Sequence, residues 1–156
     1  MSPTRWLSDD EQQAWRSFLS AVRLLLDRLD HELARDAGIP RAYYEILVRL
    51  SEAPGRALRM SELADRSLSS RSRISHAVAR LEERGWVRRR SCPSDRRGCE
   101  ATLTEEGFAA LQAAAPGHVE GVRAHLFDQL TPAQVAQLRQ ISDAVAAHLD
   151  DGAGRT

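Results

Sequence analysis

Between Ser70 and Leu103 the chain leaves itself few ways to fold. In Ser70-Arg71-Ser72-Arg73-Ile74-Ser75-His76-Ala77-Val78-Ala79-Arg80-Leu81, the apolar residues Ile74, Ala77, Val78 and Leu81 recur at offsets of three and four, the spacing of one helical stripe. That stripe must pack inward. The opposite face holds Arg71, Ser72, Ser75, His76 and Arg80 and no acid, because Glu82 and Glu83 come only at the far end. Ser70 is placed to cap the first turn, whose amides lack partners within the helix, and Gly85 to end the last. Beyond it, residues 86–91 and 99–103 read as two short strands around the turn Pro93-Ser94-Asp95-Arg96-Arg97-Gly98.

A shorter helix, Ser61 to Arg66, precedes this stretch across the turn Ser67-Leu68-Ser69, with Leu63 and Ala64 facing in. Helix, turn, helix and hairpin in that order predict a winged helix-turn-helix. Such a unit sets its second helix in the major groove of double-stranded DNA, and arginines on a hairpin tip fit the narrower minor groove beside it. Reach then assigns the roles. Arg71, Ser72, Ser75 and His76, in the first turns of the recognition helix, are expected at base edges, and Arg73 and Arg80, more to the side, on phosphates. Ser70 offers a phosphate its hydroxyl and the amides near it. Arg96 and Arg97 form the tip. Arg88, Arg89 and Arg90 alternate sides on a strand, so at most two can face one partner, and Arg84 is expected to pair with a nearby acid.

Five pieces of this region keep order and spacing over about fifty residues: Leu63-Ala64, Ser70-Arg71-Ser72, Leu81-Glu82-Glu83-Arg84-Gly85-Trp86-Val87-Arg88-Arg89, Asp95-Arg96-Arg97-Gly98 and Leu103-Thr104-Glu105-Glu106-Gly107. In them the chain resembles the multiple-antibiotic-resistance regulator (MarR) family. The resemblance implies a mostly α fold with a small β-hairpin wing, in which N- and C-terminal helices dimerise around a winged helix-turn-helix core. It implies a homodimeric regulator of transcription, expected to be a repressor, on a pseudopalindromic operator. It also implies that Arg96 or Arg97 enters the minor groove, oriented by Asp95 through a charge-assisted bond. Release by a small aromatic ligand, held between the dimer helices and the winged unit, is a further implication, with Trp15, Tyr43 and Tyr44 as candidate lining. Two positions depart from the family pattern. Arg59 stands where Thr or Ser usually caps the first helix of the unit, and Ser69 where an apolar residue is common; Arg59 loses a cap and is expected to gain a phosphate contact.

The formal net charge of zero would seem to argue against a polyanionic partner. Its distribution reverses that impression. Residues 56–97 hold twelve Arg against five acids, a local excess of +7 that the rest of the chain balances with −7. Charge is felt within a Debye length of about 8–10 Å, so the basic segment can hold a phosphate backbone although the total vanishes.

The flanks are amphipathic helices. Ser8-Asp9-Asp10-Glu11 has capping-box spacing, and Trp15, Phe18, Leu19, Val22, Leu25, Leu26, Leu29 and Leu33 then hold one stripe up to Gly38-Ile39-Pro40. A second helix after Pro40 turns Tyr43, Ile46, Leu47 and Leu50 inward. After Thr104, the apolar period survives Pro116-Gly117, which predicts one long kinked helix, and Thr131-Pro132 opens the last one. A stripe as long as the first exceeds what a small winged unit can cover, so a partner chain is its natural cover. The expected organisation is one domain of 156 residues, with the winged unit over 56–103 and dimerisation helices over 8–36 and 104–150.

Cys92 and Cys99 bracket the wing tip and read as two thiols in a cytoplasmic chain; the alternative is an oxidant sensor that reshapes the wing through them. No segment has the length and apolarity of a membrane span, and no export signal is visible. His31, His118, His125 and His148 lack the spacing of a zinc site and read as surface or interface residues. No nucleophile elbow or phosphate loop is present, so neither an enzyme nor a cofactor is expected. Outside this class, the chain could be a helical ligand- or protein-binding module whose winged unit no longer reads DNA.

Overall fold

The computed structural model describes residues 3–67, 69–91 and 99–153. Among them are six α-helices and three strands, divided between two compact units, residues 1–118 and 119–156.

Helix α1 (Asp9–Ala37) starts where the capping box predicts. The Glu11 amide donates to Ser8 Oγ at 3.2 Å and the Ser8 amide to Glu11 Oε2 at 2.7 Å. Asp9, Asp10 and Glu11 place negative charge at the positive end of the helix dipole. Gly38 ends the helix in the left-handed region, φ 65°, with its amide on the Ala34 carbonyl and that of Ile39 on Leu33. Only the last third of the stripe is buried, at Leu29 and Leu33; Trp15, Phe18, Leu19 and Val22 stand open.

Helix α2 (Arg41–Glu52) begins at Pro40, whose side chain cannot cap. Asp30 of α1 substitutes from a distance, accepting the Arg41 amide at 2.7 Å. Ile46, Leu47 and Leu50 are buried as expected, but Tyr44 rather than Tyr43 is the buried tyrosine of the pair. A turn through Gly55 and Arg56, both at positive φ, leads into a strand the sequence did not announce, β1 (Ala57–Arg59). Helix α3 (Met60–Arg66) buries Leu63 and Ala64, and the recognition helix α4 (Arg71–Glu83) buries Ile74, Val78 and Leu81. Strands β2 (Val87–Ser91) and β3 (Cys99–Leu103) pair antiparallel, Val87 opposite Leu103 and Ser91 opposite Cys99. Strand β1 adds to the free side of β3, so the sheet order is β1-β3-β2. Its inward side chains, Leu58, Val87, Ala101 and Leu103, meet α2, α3 and α4 in one core.

Helix α5 (Glu105–His125) runs continuously through Pro116. Its start is fastened to the turn that follows the recognition helix by Thr104, whose hydroxyl donates to the Gly85 carbonyl at 2.7 Å and accepts the Gly107 amide at 3.0 Å. Gly107 is required there. A Cβ on it would lie inside van der Waals contact with the Trp86 carbonyl and Leu103 Cδ1. The second unit holds the end of α5 and helix α6 (Pro132–Ala153), opened by Thr131 and Gln134, each side chain accepting the other's amide. Ile141, Val145 and Leu149 of α6 are exposed. No described helix is long and apolar enough to cross a membrane.

Candidate nucleic-acid interface

The recognition helix is set by its buried stripe, and that fixes what its other side presents. Arg71, Ser72, Arg73, Ser75, His76 and Arg80 are all exposed. Ser70 caps the helix through its Oγ, which accepts the Arg73 amide at 3.2 Å. One of its hydroxyl lone pairs is thus committed to the fold. Among the described residues Arg71 and Arg73 have no acidic partner, so their guanidinium groups are available at the helix N-terminus, where the dipole adds positive potential. Arg80 differs. Glu83 accepts from its Nη1 at 2.9 Å, and that hydrogen bond raises the Arg80 pKa above its ordinary value, so a phosphate would compete with a carboxylate already in place.

The arginines around this face divide into held and open. Arg89 lies on the inner side of β2, where Glu82 takes its amide at 2.9 Å and its Nε at 2.6 Å. Arg88 and Arg90 are exposed on the other side, as strand alternation requires. Arg66 is paired with Glu62, and Arg56 donates to Glu105 while lying 3.7 Å from the Phe108 ring centroid. Arg59 is exposed at the N-cap of α3 without a side-chain cap bond and stands opposite Glu100 in the sheet. Arg84 does not pair with an acid, contrary to expectation: it donates to the Gly38 carbonyl at 3.1 Å and lies over the rings of Trp86 and Tyr43. Its reach toward α1, rather than along α4, takes it away from Glu82 and Glu83. Asp95, Arg96, Arg97 and Cys92 lie outside the described residues. Cys99 is half-buried at the start of β3.

The three aromatic residues expected to line one pocket are dispersed. Trp15 is exposed beside Phe18 on α1, and Tyr43 is half-buried under Arg84. Tyr44 packs on His118, ring centroids 4.6 Å apart. His118 is therefore no simple surface histidine. Its Nδ1 is shut from solvent with no partner among the described residues, and burial, reinforced by Arg41 and opposed by Glu45, pushes its pKa down. The same imidazole lines a cleft between α1 and α5, together with Leu29, Leu33, Ala113, Ala114 and Gly117 and the acids Glu32 and Asp36. Sequence periodicity could not find this cleft, because its small walls come from a helix read only for its apolar period.

Residues 37–98, the segment that carries this face, match the model of the MarR family. A MarR family transcriptional regulator from Streptomyces coelicolor, Sco3205, solved in complex with DNA, superposes with a TM-score of 0.89 at 55% identity, over 94% of this chain and 92% of that one. AbsC, a MarR family transcriptional regulator from the same organism, gives 0.88 at 44% identity over 95% and 99%. The HTH-type transcriptional regulator PecS of Dickeya dadantii is 30% identical over 133 residues, 84% of this chain and 79% of PecS. The likeness extends well beyond the winged unit in each case. With the sheet order, the capped recognition helix and the long flanking helices all in place, the chain belongs to the MarR family of transcriptional regulators.

Proposed function

We propose that this protein binds a pseudopalindromic operator in double-stranded DNA as a homodimer and acts there as a repressor. The observation that carries the reading is the open face of α4, where Arg71, Ser72, Arg73, Ser75 and His76 stand exposed and the two arginines have no described acidic partner. Arg71, Ser72, Ser75 and His76 read base edges, and Arg73, Arg80, Ser70 and Arg59 hold phosphates; Asp95, Arg96 and Arg97 serve the minor groove. The bare stripe of α1 supports a partner copy, and a two-fold pair of such units would meet half-sites one helical turn apart, about 34–36 Å. Release by a small aromatic compound is proposed from the family resemblance, and the cleft beside His118, where Leu29, Leu33, Ala113, Ala114 and Gly117 adjoin Glu32 and Asp36, is the place offered for part of such a ligand.

Duplexes selected by the protein from a random pool test this directly. Arg71→Ala is expected to weaken binding by about 1–3 kcal/mol and relax preference at one base position, while Arg73→Ala lowers the salt slope by about one for the phosphate given up. Selection that yields no recurring sequence, or unchanged affinity in both variants, would refute the assignment.

A further inference from the structure

Among the described residues, one side-chain hydrogen bond joins the recognition helix to the end of the long helix α1. Arg84, the C-cap of α4, donates from Nη1 to the carbonyl of Gly38, the residue that closes α1 in a left-handed turn. Its guanidinium lies 5.0 Å from the Trp86 ring centroid at the start of the wing and 5.9 Å from that of Tyr43 in the first turn of α2. Among the described residues no other side-chain hydrogen bond links α4 to the corner between α1 and α2. Four elements therefore meet on one planar cation.

We infer that Arg84 is a positioning residue that sets the angle of the recognition helix against α1, and thereby fixes which half-site spacing the protein prefers. The inference rests on the paired half-site reading above. Arg84 sits at the end of α4 remote from Arg71 and Ser72, with its Nη1 bonded to the Gly38 carbonyl, so its influence on DNA passes through helix orientation. Arginine suits the task because its flat fork can donate a hydrogen bond in plane while presenting its faces to aromatic rings. Without it α4 keeps its buried stripe, Ile74, Val78 and Leu81, and its tie from Glu82 to the hairpin, but loses the hydrogen bond that fixes its end against the corner between α1 and α2.

The test uses the full-length chain with Arg84→Ala and Arg84→Lys, measured against duplexes carrying one selected half-site, or two half-sites whose separation is varied by single base pairs. Arg84→Ala is expected to bind the optimally spaced duplex about tenfold more weakly, the loss of one hydrogen bond and two modest cation–π contacts. Its affinity for the single half-site and its salt slope stay unchanged, and its spacing preference flattens. Arg84→Lys, which keeps a donor and a cation, restores most of the preference. A variant Arg84→Ala that keeps the parent's spacing preference overturns the inference alone, as does a fall of about one in salt slope, which would put Arg84 on a phosphate. A parent that binds two half-sites no better than one overturns the paired reading itself, and this inference with it.

Discussion

His118 turns an ordinary side chain into a pH-dependent packing element. Its ring is pressed on Tyr44, and burial holds its pKa below the usual 6.5. The unfolded chain therefore binds a proton more readily than the native one as pH falls. Stability on this account is intact above the unfolded value and declines as pH drops through the folded one. His118→Gln is expected to flatten the dependence of the urea midpoint on pH below about 6.5 while leaving it unchanged in slope above. Equal pH slopes for parent and variant would remove His118 from this role. Sequence could not foresee the contact. Tyr43 and Tyr44 both lie within helical reach of Leu47, and it is Tyr44 that is buried in the core and meets an imidazole arriving from α5. The recognition face is the opposite case: Ile74, Val78 and Leu81 are buried and Arg71, Ser72 and His76 exposed, because a thirteen-residue helix with one apolar stripe admits no other rotation.

Among the elements, the junction of α5 with the sheet is the most demanding. Thr104 bonds both to Gly85, at the end of the recognition helix, and to Gly107, and the absent side chain of Gly107 lets the helix approach the Trp86 carbonyl. Backbone cannot retreat as a side chain can. Gly107→Ala is expected to cost about 1–3 kcal/mol by overpacking, read as a lower urea midpoint with unchanged slope, despite the better helix propensity of alanine. A variant as stable as the parent would show that the approach relaxes freely. Strand β1 shows why the sheet was only partly legible. Three residues cannot display an alternating period, and Ala57–Arg59 becomes a strand only because β3 offers it an unpaired edge. The long helices, by contrast, carried caps and stripes that local physics alone could specify, as at Ser8 and Thr131.

At the scale of the whole molecule, apolar surface and charge are both unevenly spread. Trp15 and Phe18 are each more than half exposed on α1, which a lone chain in water would not favour. Phe18→Glu is expected to shift a dimer toward monomer in sedimentation at micromolar concentration and to weaken operator binding in step. A variant that stays dimeric would move the contact elsewhere. The twelve arginines over residues 56–97 lie in a neutral chain, so their count overstates the positive field: Arg56, Arg66, Arg80 and Arg89 are engaged by carboxylates. The grip of Glu82 on Arg89, by amide and guanidinium together, has a consequence of its own. Recognition helix and hairpin base are welded into one lever, so tilting the first drags the second. If helix and wing read adjacent grooves as proposed, a lineage drifting toward a new target sequence would retune both at once, or first cut that weld.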